Sequence, residues 1–250
     1  MSDVIPRTVL VTGGGRGIGR AIALRFGEAG ARVFVNFFVN REAAEKTARD
    51  VELRGGTAHL LQADLKEPAE IKRLMAEVEH RAGRLDVLVS NAASGVLRAG
   101  LELSPKQWDW VIATNARALM ILAQEGARLM AAGGRIIALS SLGSRRVISG
   151  YAAIGVSKAA LEALTRYLAT ELAARGITVN TVSAGAVETD VWQAIPDGAA
   201  ALSAIRARTP GGALVTPEDV AEAVFFLASP GAQAIQGQVV TVDGGYSLLA

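Results

Sequence analysis

The stretch from Thr8 to Gly30 constrains the fold more than any other part of the sequence. Thr8–Thr12 is a short run rich in β-branched residues, which is typical of a buried strand. It is followed by Gly13-Gly-Gly-Arg-Gly17-Ile-Gly19 and by a helical pattern from Arg20 to Ala29. Glycines at such a turn let the backbone approach a pyrophosphate, whose charge is attracted by the helix N-terminus. The stretch therefore predicts a dinucleotide-binding turn, and a simple tight turn is the less favoured alternative.

Strand and helix patterns alternate along the rest of the chain. Further strands are predicted at residues 32–38, 57–62, 85–90, 135–140, 177–182 and 238–242, and helices at residues 41–53, 68–81, 105–130, 151–174 and 217–228. Thr216-Pro217-Glu218 is typical of a helix N-cap followed by proline at the first helical position. Such alternation implies right-handed crossovers and a parallel sheet. We predict an α/β fold, a Rossmann-type doubly wound parallel sheet of seven strands, formed as a single domain by residues 1–250.

One segment interrupts this alternation. Residues 190–212 combine a weak apolar face with Pro196, Gly198, Pro210 and the Gly211-Gly212 pair. An irregular insertion after a strand end is a common place for a substrate lid. We therefore expect a small lid at about residues 190–212, with a mobile surface loop as the alternative.

Composition excludes several classes of protein. The chain has no cysteine, which excludes disulfides and thiolate metal sites, and His59 and His80 have no partners at metal-ligand spacing, so no metal site is predicted. There is no secretory signal pattern and no run of about 18 apolar residues, so we expect a cytoplasmic protein without a membrane span. The net charge is +2 with scattered basic residues, which argues against nucleic acid as a partner.

Tyr151 and Lys158 are the leading candidates for catalytic residues. They are seven residues apart at the start of a predicted helix, so both side chains can lie on the same face. Lys158 begins a largely apolar stripe that continues through Leu161, Thr165, Leu168 and Leu172. Glu162 is interpreted as lying apart from this stripe. A buried ammonium needs a partner, and a cation near a phenol makes its proton more acidic. For this pair alone, a packed tyrosine beside a helix-edge lysine remains the alternative.

The predicted second strand ends without an acidic residue. Enzymes that use NAD commonly place a carboxylate there to hold the adenosine ribose hydroxyls. This chain has Asn36, followed by Phe37 and Phe38. Without a carboxylate to repel it, a 2′-phosphate can pair with Arg16 and Arg41, so NADPH is the expected cofactor.

Thr12, Gly13, Gly17 and Gly19 resemble the Thr-Gly-x-x-x-Gly-x-Gly signature of the short-chain dehydrogenases/reductases, and the resemblance extends over the whole chain. It implies that Asn115 holds its helix and a water, and that Ser141 has a structural or minor polar role. It also implies a set of cofactor contacts, namely Gly13, Arg16, Gly17, Ile18, Gly19, Asn36, Arg41, Asp64, Leu65, Asn91, Lys158 and Thr189.

The spacing of the catalytic pair departs from most of that family. Ordinary members have Tyr-x-x-x-Lys, which would place the tyrosine at position 154, where this chain has Ile154. The spacing Tyr-x6-Lys resembles the enoyl-acyl carrier protein reductases, in particular the NADPH-dependent type III group. An α,β-unsaturated thioester accepts hydride at its β-carbon and develops charge on a more distant oxygen than a ketone does. A donor that stabilises the enolate must therefore be displaced from the nicotinamide.

This resemblance implies a function. It is the NADPH-dependent reduction of trans-2-enoyl thioesters in fatty acid biosynthesis. The acyl group would be carried by acyl carrier protein or coenzyme A, and the enzyme would be a homotetramer. Tyr151 would stabilise the enolate and Lys158 would bind the nicotinamide ribose. Two alternatives stay open: a carbonyl reductase such as a 3-oxoacyl-acyl carrier protein reductase, and a non-catalytic protein that senses dinucleotides. Ile154 argues against the first, and the retention of Tyr151 and Lys158 argues against the second.

Overall fold

The computed structural model describes residues 7–189 and 197–249. Its strands are β1 Thr8–Val11, β2 Arg32–Phe37, β3 Thr57–Gln62, β4 Val87–Ser90, β5 Arg135–Ser141, β6 Thr178–Ala184 and β7 Val239–Val242. They form a parallel sheet of seven strands in the order β3-β2-β1-β4-β5-β6-β7. The predicted Rossmann-type doubly wound sheet is therefore confirmed. The order reverses between β1 and β4, and ligands of open parallel sheets bind beside the carboxyl ends of strands at such a point.

Helices cover both faces of the sheet. They are α1 Gly17–Glu28, α2 Arg41–Leu53, α3 Pro68–Ala82, α4 Pro105–Ile112, α5 Ala118–Arg128, α6 Ala152–Ala173, α7 Gly198–Arg208 and α8 Pro217–Ala228. Side chains alternate along each strand, so Val9 and Val11 pack into a core with α1 and α8, whereas Leu10 packs into a second core with α3, α5 and α6. With 22 residues α6 is the longest helix in the described ranges, and none of those helices has the length and apolarity to cross a bilayer.

The long helix predicted at residues 105–130 is interrupted. Between α4 and α5 the chain forms a π-helical turn, Ala113–Arg117, whose extra residue shifts the register of the following turn. Asn115 lies within this turn and is buried. Turns of this kind are rare and often occur at functional sites. Hydrophobic periodicity does not reveal such turns, because the spacing of apolar residues on both sides of the turn is still typical of an α-helix.

The predicted cap of the last helix is confirmed. The Thr216 hydroxyl accepts a hydrogen bond from the Asp219 amide at 3.2 Å, and the Asp219 carboxylate accepts one from the Thr216 amide at 2.8 Å. In the predicted lid, α7 lies where an irregular insertion was expected, and residues 190–196 lie outside the described residues.

Candidate active site

The glycine-rich turn between β1 and α1 is packed too closely for larger side chains. A Cβ atom on Gly19 would lie 2.2 Å from the carbonyl oxygen of Gly13, and Gly13 itself has a φ of 62°. Gly17 has a φ of 52° at the first position of α1, and Ile18 packs partly against the core. This backbone therefore leaves the N-terminal amides of α1 open to a ligand, as a pyrophosphate requires.

Thr12 and Asn91 fix the turn at the carboxyl ends of β1 and β4. The Thr12 hydroxyl accepts hydrogen bonds from the amides of Asn91 and Ala92 at 2.9 and 3.0 Å. The Asn91 side chain donates to the carbonyl oxygens of Thr12 and Gly13 at 2.9 and 3.2 Å. Asn91, expected as a cofactor contact, therefore positions the glycine turn through its side chain.

Asn36 has a similar role at the end of β2. It is buried, and its amide group donates to the carbonyl oxygens of Leu61 and Ala63 at 3.2 and 3.3 Å. Its side-chain oxygen accepts from the Gly13 amide at 3.3 Å. The side chain thus joins three strand ends and supports the cofactor turn from behind.

Arg16 and Arg41 are the two arginines for which a contact with an adenosine 2′-phosphate was predicted. Arg16 precedes α1, is exposed and forms no ion pair with any residue in the described ranges. Arg41 begins α2; it donates to Gln62 at 3.2 Å and its guanidinium lies 5.2 Å from the centre of the Phe37 ring. No acidic residue follows β2 before Arg41.

The remaining predicted cofactor residues lie at the same edge of the sheet. Asp64 follows β3 and its carboxylate accepts from the Lys66 amide at 2.9 Å, while Leu65 is buried beside it. Thr189 follows β6, and a Cβ atom on Gly17 would lie 3.5 Å from its methyl group. The residues present fit a dinucleotide: a glycine cradle, a helix N-terminus and two cations follow one another along this edge.

Tyr151 immediately precedes α6 and is hydrogen bonded to β5. The Ser141 hydroxyl donates to the Tyr151 phenol oxygen at 3.4 Å. Burial raises the pKa of the Tyr151 phenol, and the Ser141 hydrogen bond lowers it by a smaller amount. Our expectation that a neighbouring cation would make this phenol more acidic is wrong, because desolvation outweighs every contact that favours the phenolate. The phenol is therefore protonated near neutral pH and can donate a hydrogen bond.

Lys158 lies on α6 in the buried stripe predicted for it. Its ammonium donates a hydrogen bond to the carbonyl oxygen of Leu139 at 2.7 Å. Burial lowers its pKa to about 8. An ammonium carries three N–H donors, so two remain available for a ribose hydroxyl or another acceptor.

Asn115 joins the loop after β4 to α6. Its side chain accepts from the Ser94 amide at 2.8 Å and donates to the Ser94 carbonyl and the Ser157 hydroxyl at 2.9 and 3.0 Å. Ser157 lies next to Lys158. The Asn115 side chain therefore connects α6 to the loop that follows β4.

A cavity of about 460 Å³ opens beside Tyr151. Gly100, Gly155 and Ala159 are among the small residues that line it, and it is also lined by the exposed side chains of Val147, Ile148 and Val156. Such a pocket suits an apolar group held near the phenol.

Sequence reasoning missed Glu162. The interpretation that Glu162 lies apart from the Lys158 stripe is wrong: its side chain is buried, with 4% of its surface exposed. A spacing of four residues from Lys158 indicates the same helix face and was the available signal. Its partners, Ser140, Ser144 and Arg145, come from β5 and the loop that follows.

Comparison with known proteins shows the family to which this chain belongs. A family profile described as "Enoyl-(Acyl carrier protein) reductase" matches residues 13–247. The 1-cyclohexenylcarbonyl-CoA reductase of Streptomyces collinus is 40% identical over 96% of this chain and 87% of its own length. This chain belongs to the short-chain dehydrogenase/reductase family. Versicolorin reductase 1 of Aspergillus parasiticus, 38% identical over 96% of this chain and 95% of its own, is a further relative.

A solved member of the family has the same architecture. A short-chain dehydrogenase from Burkholderia cenocepacia in complex with NADP is 36% identical, with a TM-score of 0.88 over 96% of this chain and 98% of its own. The protein is therefore an oxidoreductase of the short-chain family, and the NADP in that relative agrees with the predicted cofactor.

Proposed function

We propose that this short-chain reductase uses NADPH to reduce the carbon–carbon double bond of trans-2-enoyl thioesters, carried by acyl carrier protein or coenzyme A, in fatty acid biosynthesis. The observation that carries the proposal is the position of the phenol. Tyr151 lies before the first turn of α6, and Ile154 stands at the position of the usual family tyrosine.

The surroundings of Ile154 support this assignment. A Cβ atom on Gly95 would lie 2.3 Å from Cγ1 of Ile154, so the isoleucine packs directly against the loop that follows β4. An apolar side chain there offers no proton to a carbonyl oxygen at the hydride-accepting carbon. A donor three residues earlier is available to an oxygen that is conjugated through a double bond.

Tyr151 and Ser141 have separate roles in the proposed reduction. Bound NADPH supplies a hydride for the β-carbon of the substrate. Tyr151, whose pKa is raised further by burial, is protonated and donates a hydrogen bond to the thioester oxygen where negative charge develops. Ser141 donates to the phenol oxygen, which leaves the phenol proton free for the substrate. A proton from water then adds to the α-carbon, which completes the saturated thioester.

Lys158 and the glycine turn hold the cofactor in this proposal. Lys158 is fixed by Leu139, and its remaining donors would hold the nicotinamide ribose. Gly13, Gly17, Ile18 and Gly19 accommodate the pyrophosphate by their backbone, and Asp64, Leu65, Asn91 and Thr189 line the same edge. Arg16 and Arg41 bind the 2′-phosphate.

The substrate class also has support from a relative. The Streptomyces collinus protein is named for reduction of a cyclohexenylcarbonyl thioester of coenzyme A, an unsaturated acyl thioester. The apolar cavity beside Tyr151 is lined by small residues and has room for an acyl group. Arg98, Arg206 and Arg208 are the candidates for contacts with an acidic carrier protein.

We further propose a homotetramer. Several apolar side chains on the helices near the site are exposed in the single chain, including Trp108 at 39% and Tyr167 at 70%. Exposed aromatic groups of this size are typical of subunit contacts. Light scattering during size-exclusion chromatography gives the mass directly: a tetramer is expected, and a monomer would contradict this assignment.

The activity is tested by following NADPH oxidation with crotonyl-CoA and with acetoacetyl-CoA. Turnover of crotonyl-CoA in preference is the expected result. Turnover of acetoacetyl-CoA alone would favour a carbonyl reductase, and binding of NADPH without turnover of either would favour a dinucleotide sensor.

Carbonyl reduction is the second candidate, and one observation favours it. The 3.4 Å contact between Ser141 and Tyr151 also resembles the serine–tyrosine pair with which short-chain reductases bind a carbonyl oxygen. The two candidates differ in the effect of Ser141→Ala. Carbonyl reduction predicts a loss as large as that of Tyr151→Phe, whereas enoyl reduction predicts a loss of about tenfold or less.

A further inference from the structure

We propose that Glu162 is a positioning residue that holds the segment Ser140–Arg145 against α6 and so maintains the contact between Ser141 and Tyr151. The inference rests on the proposed function in one respect: that Tyr151 acts on the substrate. Glu162 itself does not line the cavity beside Tyr151, whereas Ser144 and Arg145 do. It therefore acts through its partners.

The Glu162 carboxylate binds both ends of this segment. Its Oε1 accepts hydrogen bonds from the hydroxyls of Ser140 at 2.7 Å and Ser144 at 2.6 Å. Its Oε2 accepts from Nε of Arg145 at 3.2 Å. Hydrogen bonds to an ionised carboxylate are short and strong, and a buried carboxylate without them would be very unfavourable. Three donors from one segment thus converge on one side chain of α6.

The same segment carries the groups that contact the catalytic residues. Ser141 lies between the two anchored serines and donates to Tyr151. The Tyr151 ring packs on Gly143, where a Cβ atom would lie 2.5 Å from its Cδ1 atom. Leu139, just before the segment, holds Lys158. If Glu162 releases the segment, both catalytic side chains lose a fixed neighbour.

Two substitutions distinguish the role of Glu162 as a hydrogen-bond acceptor from its contribution to packing. Glu162→Gln keeps an oxygen that can accept from both serines, although it loses the ion pair with the mostly exposed Arg145. Glu162→Met keeps a similar volume and leaves both hydroxyls without this acceptor. Thr165→Val is the matched control, because Thr165 is a fully buried polar residue of α6 that bonds to Thr181 of β6 instead.

Steady-state kinetics with crotonyl-CoA and NADPH give the first test. Glu162→Met is expected to lower kcat about 10- to 100-fold while KM for NADPH changes less than about threefold. Glu162→Gln should restore kcat to within about threefold of the parent, and Thr165→Val should leave it unchanged. Equal kcat values for Glu162→Met and the parent, or equal losses in the Gln and Met variants, would overturn the proposal.

Hydrogen exchange gives a test that does not depend on the substrate. The amides of Arg145 and Arg146 donate to the carbonyl oxygen of Leu142 at 3.0 and 2.9 Å. These amides should exchange about tenfold faster in Glu162→Met than in the parent protein. In Glu162→Gln and in Thr165→Val they should exchange at the parental rate. If Glu162→Met does not fold, the Ser140→Ala/Ser144→Ala variant, which keeps the ion pair, is expected to show the same increase. Unchanged exchange in the folded variants refutes the positioning role.

The two proposals fail in different ways. A parent protein that does not reduce crotonyl-CoA contradicts the proposed function, and the kinetic series is then measured on acetoacetyl-CoA if that is turned over. The exchange rates decide the role of Glu162 in either case.

Discussion

The Lys158 ammonium is hydrogen bonded to the carbonyl oxygen of Leu139, with 2.7 Å between the two atoms, and pairs with no carboxylate in the described residues. A cation in this environment is retained at a cost in folding free energy. Its pKa in the folded protein, about 8, lies below its ordinary value of 10.5. Above about pH 8 the folded protein therefore binds fewer protons than the unfolded chain, and the free energy of unfolding rises with pH until about pH 10.5.

The first prediction concerns stability without cofactor. For the parent, the contribution of Lys158 to the free energy of unfolding should rise by about 2 kcal/mol between about pH 7.5 and about pH 9.5. The stability of Lys158→Met relative to the parent should fall by the same amount, as measured by urea unfolding. Replacement of the exposed Lys106 by Met is the control and should give a constant difference. A constant difference for Lys158→Met would show that the ammonium is not desolvated.

Tyr151→Phe should remove most of the activity. The substitution deletes the phenol donor, and loss of a donor at the developing charge typically costs about 10²- to 10⁴-fold in kcat. The Kd for NADPH, measured by fluorescence titration, should change less than about threefold. Tyr167→Phe on α6 is the matched control: it keeps the ring that we propose for a subunit contact, lies outside the active site and should retain full activity. Unchanged turnover in Tyr151→Phe would exclude this phenol from the mechanism.

Gly19→Ala should disrupt the cofactor turn. The new Cβ atom would approach the Gly13 carbonyl oxygen to 2.2 Å and the side-chain nitrogen Nδ2 of Asn91 to 2.5 Å. We expect a loss of about 1–3 kcal/mol in the free energy of unfolding and at least about a 100-fold weaker Kd for NADPH. Gly211→Ala is the control, because nothing lies within 4 Å of the place that a Cβ atom would take there. Parental NADPH affinity in Gly19→Ala would mean that the nucleotide does not lie over this turn.

Arg16→Ala and Arg41→Ala test the preference for the 2′-phosphate. Each arginine would contribute a charge-assisted hydrogen bond, so each variant should weaken NADPH binding by about tenfold or more. The Kd for NADH should stay within about threefold of the parent, because NADH lacks that phosphate. Arg128→Ala, at an exposed ion pair on α5, should affect neither cofactor. Equal losses for NADPH and NADH would place these arginines elsewhere on the nucleotide.

The sequence predicted the fold well because period-2 and period-3.6 patterns report burial directly. Val9, Leu10 and Val11 already indicate a strand buried on both faces, and the Gly13–Gly19 turn identifies the edge at which the site lies. The same patterns could not reveal the π-turn at Asn115, which depends on one extra residue and on hydrogen bonds to Ser94 and Ser157.

Electrostatic properties of the site were less predictable. The acidity of Tyr151 depends on how far burial outweighs the Ser141 hydrogen bond, and that balance requires three-dimensional packing. Asn36 was recognised by its position, but its hydrogen bonds to the ends of the two neighbouring strands, β1 and β3, follow from the sheet order. Glu162 was missed because it was interpreted as lying apart from the Lys158 stripe, and its partner Ser140 is distant in sequence.

The position to which hydride is delivered tests the account most directly. The protein is given NADPH deuterated at the transferred position and equal amounts of crotonyl-CoA and acetoacetyl-CoA, and the products are analysed by NMR and mass spectrometry. We predict butyryl-CoA with deuterium on the β-carbon and unreacted acetoacetyl-CoA. Deuterium in 3-hydroxybutyryl-CoA, with crotonyl-CoA unchanged, would contradict the assignment of Tyr151 to an enolate oxygen.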